Sequence, residues 1–131
     1  MQQNPQRYFL RKQHRLKSRK AIDLLFKKGK SFSNFPFRVC WQKVDEKGLK
    51  AGFTASSKNF KHAVDRNRIK RLIKEAYRLQ KNNLEEIVQT KFSGLHLFFI
   101  FSGKEIPTYE FVFEKMNATL KRIIKLLNEE N

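Results

Sequence analysis

The sequence predicts an α+β domain, a small α/β sandwich with helices laid on one face of a sheet. An amphipathic helical run over residues 63–81 separates two strand-sized apolar segments, residues 49–56 and 95–101. A connection of that length can join parallel strands, and ordinary statistics make such a crossover right-handed. Helical patterns also stand at residues 18–28 and from Pro107 onward, so the order is helix, strands, helix, strand, helix. The 131 residues are 40% hydrophobic and include 13 Phe, enough for one modest core and unlike a disordered basic tail. No repeat, low-complexity tract or second domain is visible.

Residues 1–14 read as a basic extension that orders late or only on binding, and residues 15–131 as a single domain. Ser18 is a suitable N-cap for a helix through Lys28, and Gly29 ends it. Ala21, Ile22, Leu25 and Phe26 recur there at helical spacing. Residues 31–44 read as extended, divided by Pro36 into two strand pieces. Phe35, Phe37, Val39 and Trp41 alternate onto one face, leaving Arg38 and Cys40 on the other. Lys47-Gly48 marks a turn before strand 49–56. Residues 95–101 are apolar almost throughout, as in an inner strand covered on both faces. In the last helix Phe113, Met116, Leu120, Ile124 and Leu127 form the buried stripe. The sheet face away from the helices is then partly open, and an open face carrying aromatic rings suits unstacked bases.

Composition narrows the chemistry. Cys40 is the only cysteine, which excludes an internal disulfide and a Cys-rich zinc site and fits a reducing compartment. His14, His62 and His96 lie far apart, and no carboxylate cluster suited to two Mg²⁺ ions is visible. No catalytic or metal site is expected in the protein, and no small-molecule substrate. The longest apolar run, residues 97–101, falls far short of the roughly 18 residues a membrane span needs. The first 22 residues hold no acid and four Arg by position 19, as organelle transit peptides do. They are poor in Ser, however, and read better as a cytoplasmic basic arm.

The charge is concentrated. Of a formal +17, residues 1–30 contribute +9 and residues 58–81 contribute +7, while residues 82–131 contribute −1. Solubility requires no such asymmetry; a continuous footprint for phosphates does. On a helix turning about 100° per residue, Ile69, Leu72, Ile73, Ala76 and Gln80 share one face. Asn67, Lys70, Arg71, Lys74, Arg78 and Lys81 gather opposite, flanked by Arg66 and Arg68. Only Asp65 and Glu75 offset nine basic residues across 58–81. A merely solvated helix usually mixes signs so that i,i+4 pairs support it. This one points to a polyanion, RNA or DNA, bound with a steep salt dependence. Glu75 is placed to pair with Arg71 or Arg78. Asn67 suits a sugar, a base edge or, equally, a local backbone bond near the helix start.

The run Arg66-Asn67-Arg68-Ile69-Lys70-Arg71-Leu72-Ile73-Lys74-Glu75, preceded by Ser57-Lys58 and Ala63-Val64, closely resembles the signature of the bacterial ribonuclease P protein subunit. That signature is an Arg-Asn-Arg box followed by Lys-Arg and then Arg-Glu on one helix. The likeness covers residues 15–127, including the leading helix that ends in Phe26-Lys27-Lys28-Gly29 and the strand from Phe37 to Trp41. Lys74 stands where the family usually has Arg, which keeps the charge and loses bidentate phosphate recognition. Ser57 and Asn59 flank Lys58 where the family often has adjacent Lys. Residues before Arg15 are not well matched.

The resemblance implies a four-stranded mixed sheet with three helices and a left-handed βαβ crossover, against the ordinary statistics. It implies a protein that assists a catalytic RNA in removing the 5′ leader of precursor tRNA. The RNA subunit would use Mg²⁺ for the hydrolysis, and the protein would supply no catalytic side chain. Lys58, Lys61, Arg66, Asn67, Arg68, Lys70, Arg71, Lys74 and Arg78 would form the RNA-binding lane. Phe26, Arg38 and Cys40 would line a cleft for the leader, although spacing alone makes Phe26 a core residue. A ribosomal-type RNA-packing protein is the main alternative. A DNA-binding helix is a third reading, which the strand before residue 63 disfavours.

Overall fold

The computed structural model describes residues 14–129, so the expectation for the N-terminal extension lies, His14 apart, outside the described residues. The elements are α1 (Arg19–Lys28), β1 (Lys30–Asn34), β2 (Phe37–Val44), β3 (Gly48–Ala55), α2 (Ala63–Gln80), α3 (Asn82–Lys91), β4 (Gly94–Phe101) and α4 (Tyr109–Glu129). The strands form one mixed sheet in the order β1-β2-β4-β3. β2 pairs antiparallel with β1 and β4, while β3 and β4 run parallel across the connection through α2 and α3. Among the described residues no helix is long and apolar enough to cross a membrane.

Local chemistry sets the boundaries. The Ser18 hydroxyl accepts from the Ala21 N–H at 3.2 Å, capping α1, and Lys27 and Lys28 lie at its carbonyl end, where a cation is favoured. The chain reverses at the cis Phe35–Pro36 peptide, and the Ser102 N–H and hydroxyl both donate to the Pro36 carbonyl, at 2.8 and 3.0 Å. Phe35 therefore sits in the turn, exposed, and not on the core face with Phe37, Val39 and Trp41. Between β2 and β3 the backbone turns at Gly48 with φ of 108°, a conformation that favours glycine. Gly94 packs so closely on that turn that a Cβ would overlap the Glu46 carbonyl. Gly94→Ala should destabilise the fold by about 3 kcal/mol, because backbone rather than a movable side chain must shift. Urea denaturation measures it.

The core lies between the sheet and α2, α3 and α4. Ile69, Ile73, Ala76 and Tyr77 of α2 are buried, with Leu72 partly so. On α4 the stripe is rotated from the sequence expectation: Val112, Thr119 and Ile123 are buried, while Phe113 and Ile124 are only partly covered. Thr119 escaped notice because it is polar. Its hydroxyl donates to the Lys115 carbonyl at 2.7 Å and accepts from Asn34 Nδ2 at 3.0 Å, which makes burial affordable.

Among the described residues there are four helices rather than the expected three, since residues 82–91 form α3. Lys81 joins α2 to α3 at φ −75° and ψ −12°, still right-handed helical, so no turn residue marks the break. The helices also do not all share one sheet face. α1 lies on the other side, where Leu16, Leu25, Cys40 and Phe98 form a small second core. That cover is partial, and the exposed Arg38 lies beyond it.

Candidate nucleic-acid interface

Where α1 stops covering the sheet, a cleft of about 480 Å³ opens between its last turn and the strands. Phe26, Arg38 and Cys40, drawn together in the sequence reading by resemblance alone, line the same cleft. Ser31, Asn59, Ile100 and Ser102 line it too, and the sequence alone placed none of them in the cleft. Strand register brings two of them here: Ile100 of β4 lies opposite Arg38, and Ser31 of β1 lies opposite Cys40. Phe26 is 47% exposed, its ring edge-on to Phe98 at 5.3 Å. Leu25, not Phe26, is the core residue of α1. Burial pushes the Cys40 thiol up, with Arg38 opposing, so Cys40 acts here as a small apolar surface rather than a thiolate.

Lys58 and Lys61, both exposed, stand on the segment that leads from this cleft into α2. Asn59 fastens the segment by donating to the Ser102 and Gly103 carbonyls at 3.2 and 3.3 Å. A Lys at that position would lose this tie. Arg66 Nη1 donates to the carbonyls of Phe60 at 2.7 Å and Lys61 at 2.9 Å, so Arg66 also shapes the approach to the helix. Arg66→Ala should lower stability by about 1–2 kcal/mol, whereas Arg68→Ala should leave the thermal midpoint unchanged.

Along α2, Asn67, Arg68 and Arg71 are exposed, and Lys70 and Lys74 are half-buried. His62 is the N-cap, so Asn67 does not cap the helix. Glu75 pairs with Arg78, whose Nε donates to it at 3.1 Å, and the pair holds the Glu75 carboxyl below its usual range. Arg78 is thereby partly neutralised. Lys81 leaves the cationic face altogether, being 2% exposed with Nζ 3.3 Å from Glu85.

Lys70 and Lys74 reach a smaller cavity of about 290 Å³ that also holds Arg15 and Lys17. Arg15 forms a parallel bridge with Ala51, and the Leu16 N–H donates to the Ala51 carbonyl at 2.9 Å, which lays this segment along the edge of β3. Burial lowers the Lys74 pKa first, and Arg15, Lys70, Lys17 and Arg71 push the same way. Cations crowd here without an acid among them, a place for an anion. The sequence signal for Arg15 and Lys17 was only their membership in the dense basic stretch of residues 1–30.

Among the described residues no group of three or more His, Cys, Asp and Glu is arranged to hold a metal ion. A cationic helix face beside an aromatic cleft on a mixed sheet defines an RNA-binding α+β protein. The ribonuclease P family model matches residues 10–124. The chain is 33% identical over 123 residues to a ribonuclease P protein component of Porphyromonas gingivalis, covering 92% of this chain and 90% of that one. It is also 33% identical over 127 residues to the corresponding protein of Chlorobium phaeobacteroides, with 87% of each covered. The solved ribonuclease P protein of Thermotoga maritima superposes with a TM-score of 0.65 at 29% identity, over 82% of this chain and 96% of that one. The chain belongs to the ribonuclease P protein family.

Proposed function

We propose that the chain is the protein subunit of a ribonuclease P holoenzyme, holding the catalytic RNA subunit along α2 and the 5′ leader of precursor tRNA in the cleft beneath α1. One observation carries the reading. Phe26, Arg38 and Cys40, distant in sequence, line one cleft whose edge runs through Asn59 toward the basic helix. Lys58, Lys61, Arg68, Lys70, Arg71 and Lys74 neutralise phosphates of the RNA subunit, with Arg forks where geometry allows. Phe26 offers a ring to an unstacked leader base. Mg²⁺ is held by the RNA subunit, which performs the hydrolysis; the protein contributes charge and position. The complex works in the cytoplasm.

The test compares holoenzyme affinity for leader-bearing precursor and for mature tRNA. Phe26→Ala should weaken precursor binding by about 1–3 kcal/mol and leave mature tRNA unchanged. Equal loss for both RNAs would contradict a leader site, and a ribosomal-type packing protein would discriminate between neither.

A further inference from the structure

The cleft beneath α1 ends at Ser102, and there a second cavity of about 620 Å³ begins. Phe35, Pro36, Phe101, Ile106 and Phe111 form its apolar walls. Its floor is tied down by the two bonds from Ser102 to the Pro36 carbonyl. Phe35 stands at the mouth, 66% exposed, edge-on to Phe111 at 6.5 Å. Among the described Phe, Tyr and Trp residues only Phe26 and Phe35 are exposed, one in each of these adjoining cavities. Arg38, in the cleft, is two residues along the chain from Pro36, in the second cavity.

We infer that the two cavities form one track for single-stranded RNA, in which a leader base outside the stretch held at Phe26 stacks on Phe35 and enters the pocket beside Phe111. This rests on the cleft being the leader site. The volume lies within the roughly 300–1,000 Å³ of small-ligand sites and admits a nucleobase. Of the charged residues lining it, Lys104 and Glu105 are both exposed and of opposite sign, so the pocket favours a base face over a phosphate. Binding here is by stacking, tolerant of base identity and less salt-dependent than the contacts of α2.

The experiment uses the holoenzyme reconstituted with a bacterial ribonuclease P RNA and precursor tRNAs whose leaders are shortened one nucleotide at a time. Phe35→Ala should weaken binding of long-leader precursors at least about fivefold and match the wild type once the leader is too short to reach. Phe35→Trp should restore the affinity, and Phe26→Ala should weaken both sets. Abasic leader nucleotides probe the same contact without altering the protein: Phe35→Ala should erase the penalty of one abasic position that Phe26→Ala leaves intact. If Phe35→Ala equals the wild type at every length while Phe26→Ala does not, the pocket serves another occupant and the inference falls alone. Equal loss at every length, mature tRNA included, would place Phe35 in assembly and also overturn it. If neither variant nor leader length matters, the cleft reading itself fails and takes the inference with it.

Discussion

Replacing Arg68 and Arg71 together by alanine should raise the Mg²⁺ concentration at which the holoenzyme is half-active, and weaken binding to the RNA subunit by about tenfold or more per side chain. Both guanidinium groups are on exposed residues of α2. In sequence the nearest acids are Asp65 for Arg68 and Glu75 for Arg71; Glu75 is engaged by Arg78, and among the described residues neither Arg68 nor Arg71 is in an ion pair. Nothing in the fold therefore depends on them, and their charge is available to phosphates. Two RNAs brought together repel, and each cation removed must be replaced by counterions, of which Mg²⁺ is the most effective. The slope of log affinity against log salt should fall by about two in magnitude. Thermal melting of the isolated protein separates this from misfolding, since the melting midpoint should not move. An unchanged Mg²⁺ profile would remove α2 from the RNA interface.

The largest effect on stability is expected at Phe99. Its ring is fully buried in β4, stacked on Phe53 with centroids 5.6 Å apart and planes 7° from parallel. Phe37 and Tyr77 complete the cluster at 6.2 and 5.5 Å, so β2, β3, β4 and α2 all meet there. Phe99→Ala removes that junction and leaves a cavity the rigid sheet cannot close, at a cost of about 3–5 kcal/mol. Domains of this size are stable by only about 5–15 kcal/mol, so the variant should be marginally folded at best. Urea midpoints report the difference. A loss below about 1 kcal/mol would mean that the cluster is not the centre of the core.

Much of this architecture is legible in the sequence, because apolar periodicity reports burial directly. Periodicity marks α1 and the strand, helix, strand path to a parallel pair, while the Ser18 cap and the division at Pro36 follow from capping preference and from proline's missing N–H. What was missed has local causes. α3 follows α2 without a breaker, and its Leu84 and Val88 give too short a stripe to stand out beside Asn82-Asn83. Phe35 followed the alternation in sequence but lies in the turn. α1 crosses to the other sheet face, which no periodicity encodes. For the site, the basic face of α2 was readable from charge and spacing, except at Lys81, whose burial depends on Glu85 in an unrecognised helix. The cleft required the resemblance, because Phe26, Arg38 and Cys40 converge only through the packing of α1 on β2. Arg15 and Lys17 came to the site through pairing with β3, a contact invisible in one dimension.

The most direct measurement adds the purified protein to a bacterial ribonuclease P RNA and precursor tRNA at low Mg²⁺ and follows release of the 5′ leader. A ribonuclease P subunit of this kind should stimulate release strongly while cleaving nothing alone. Tight RNA binding with no stimulation would contradict that role.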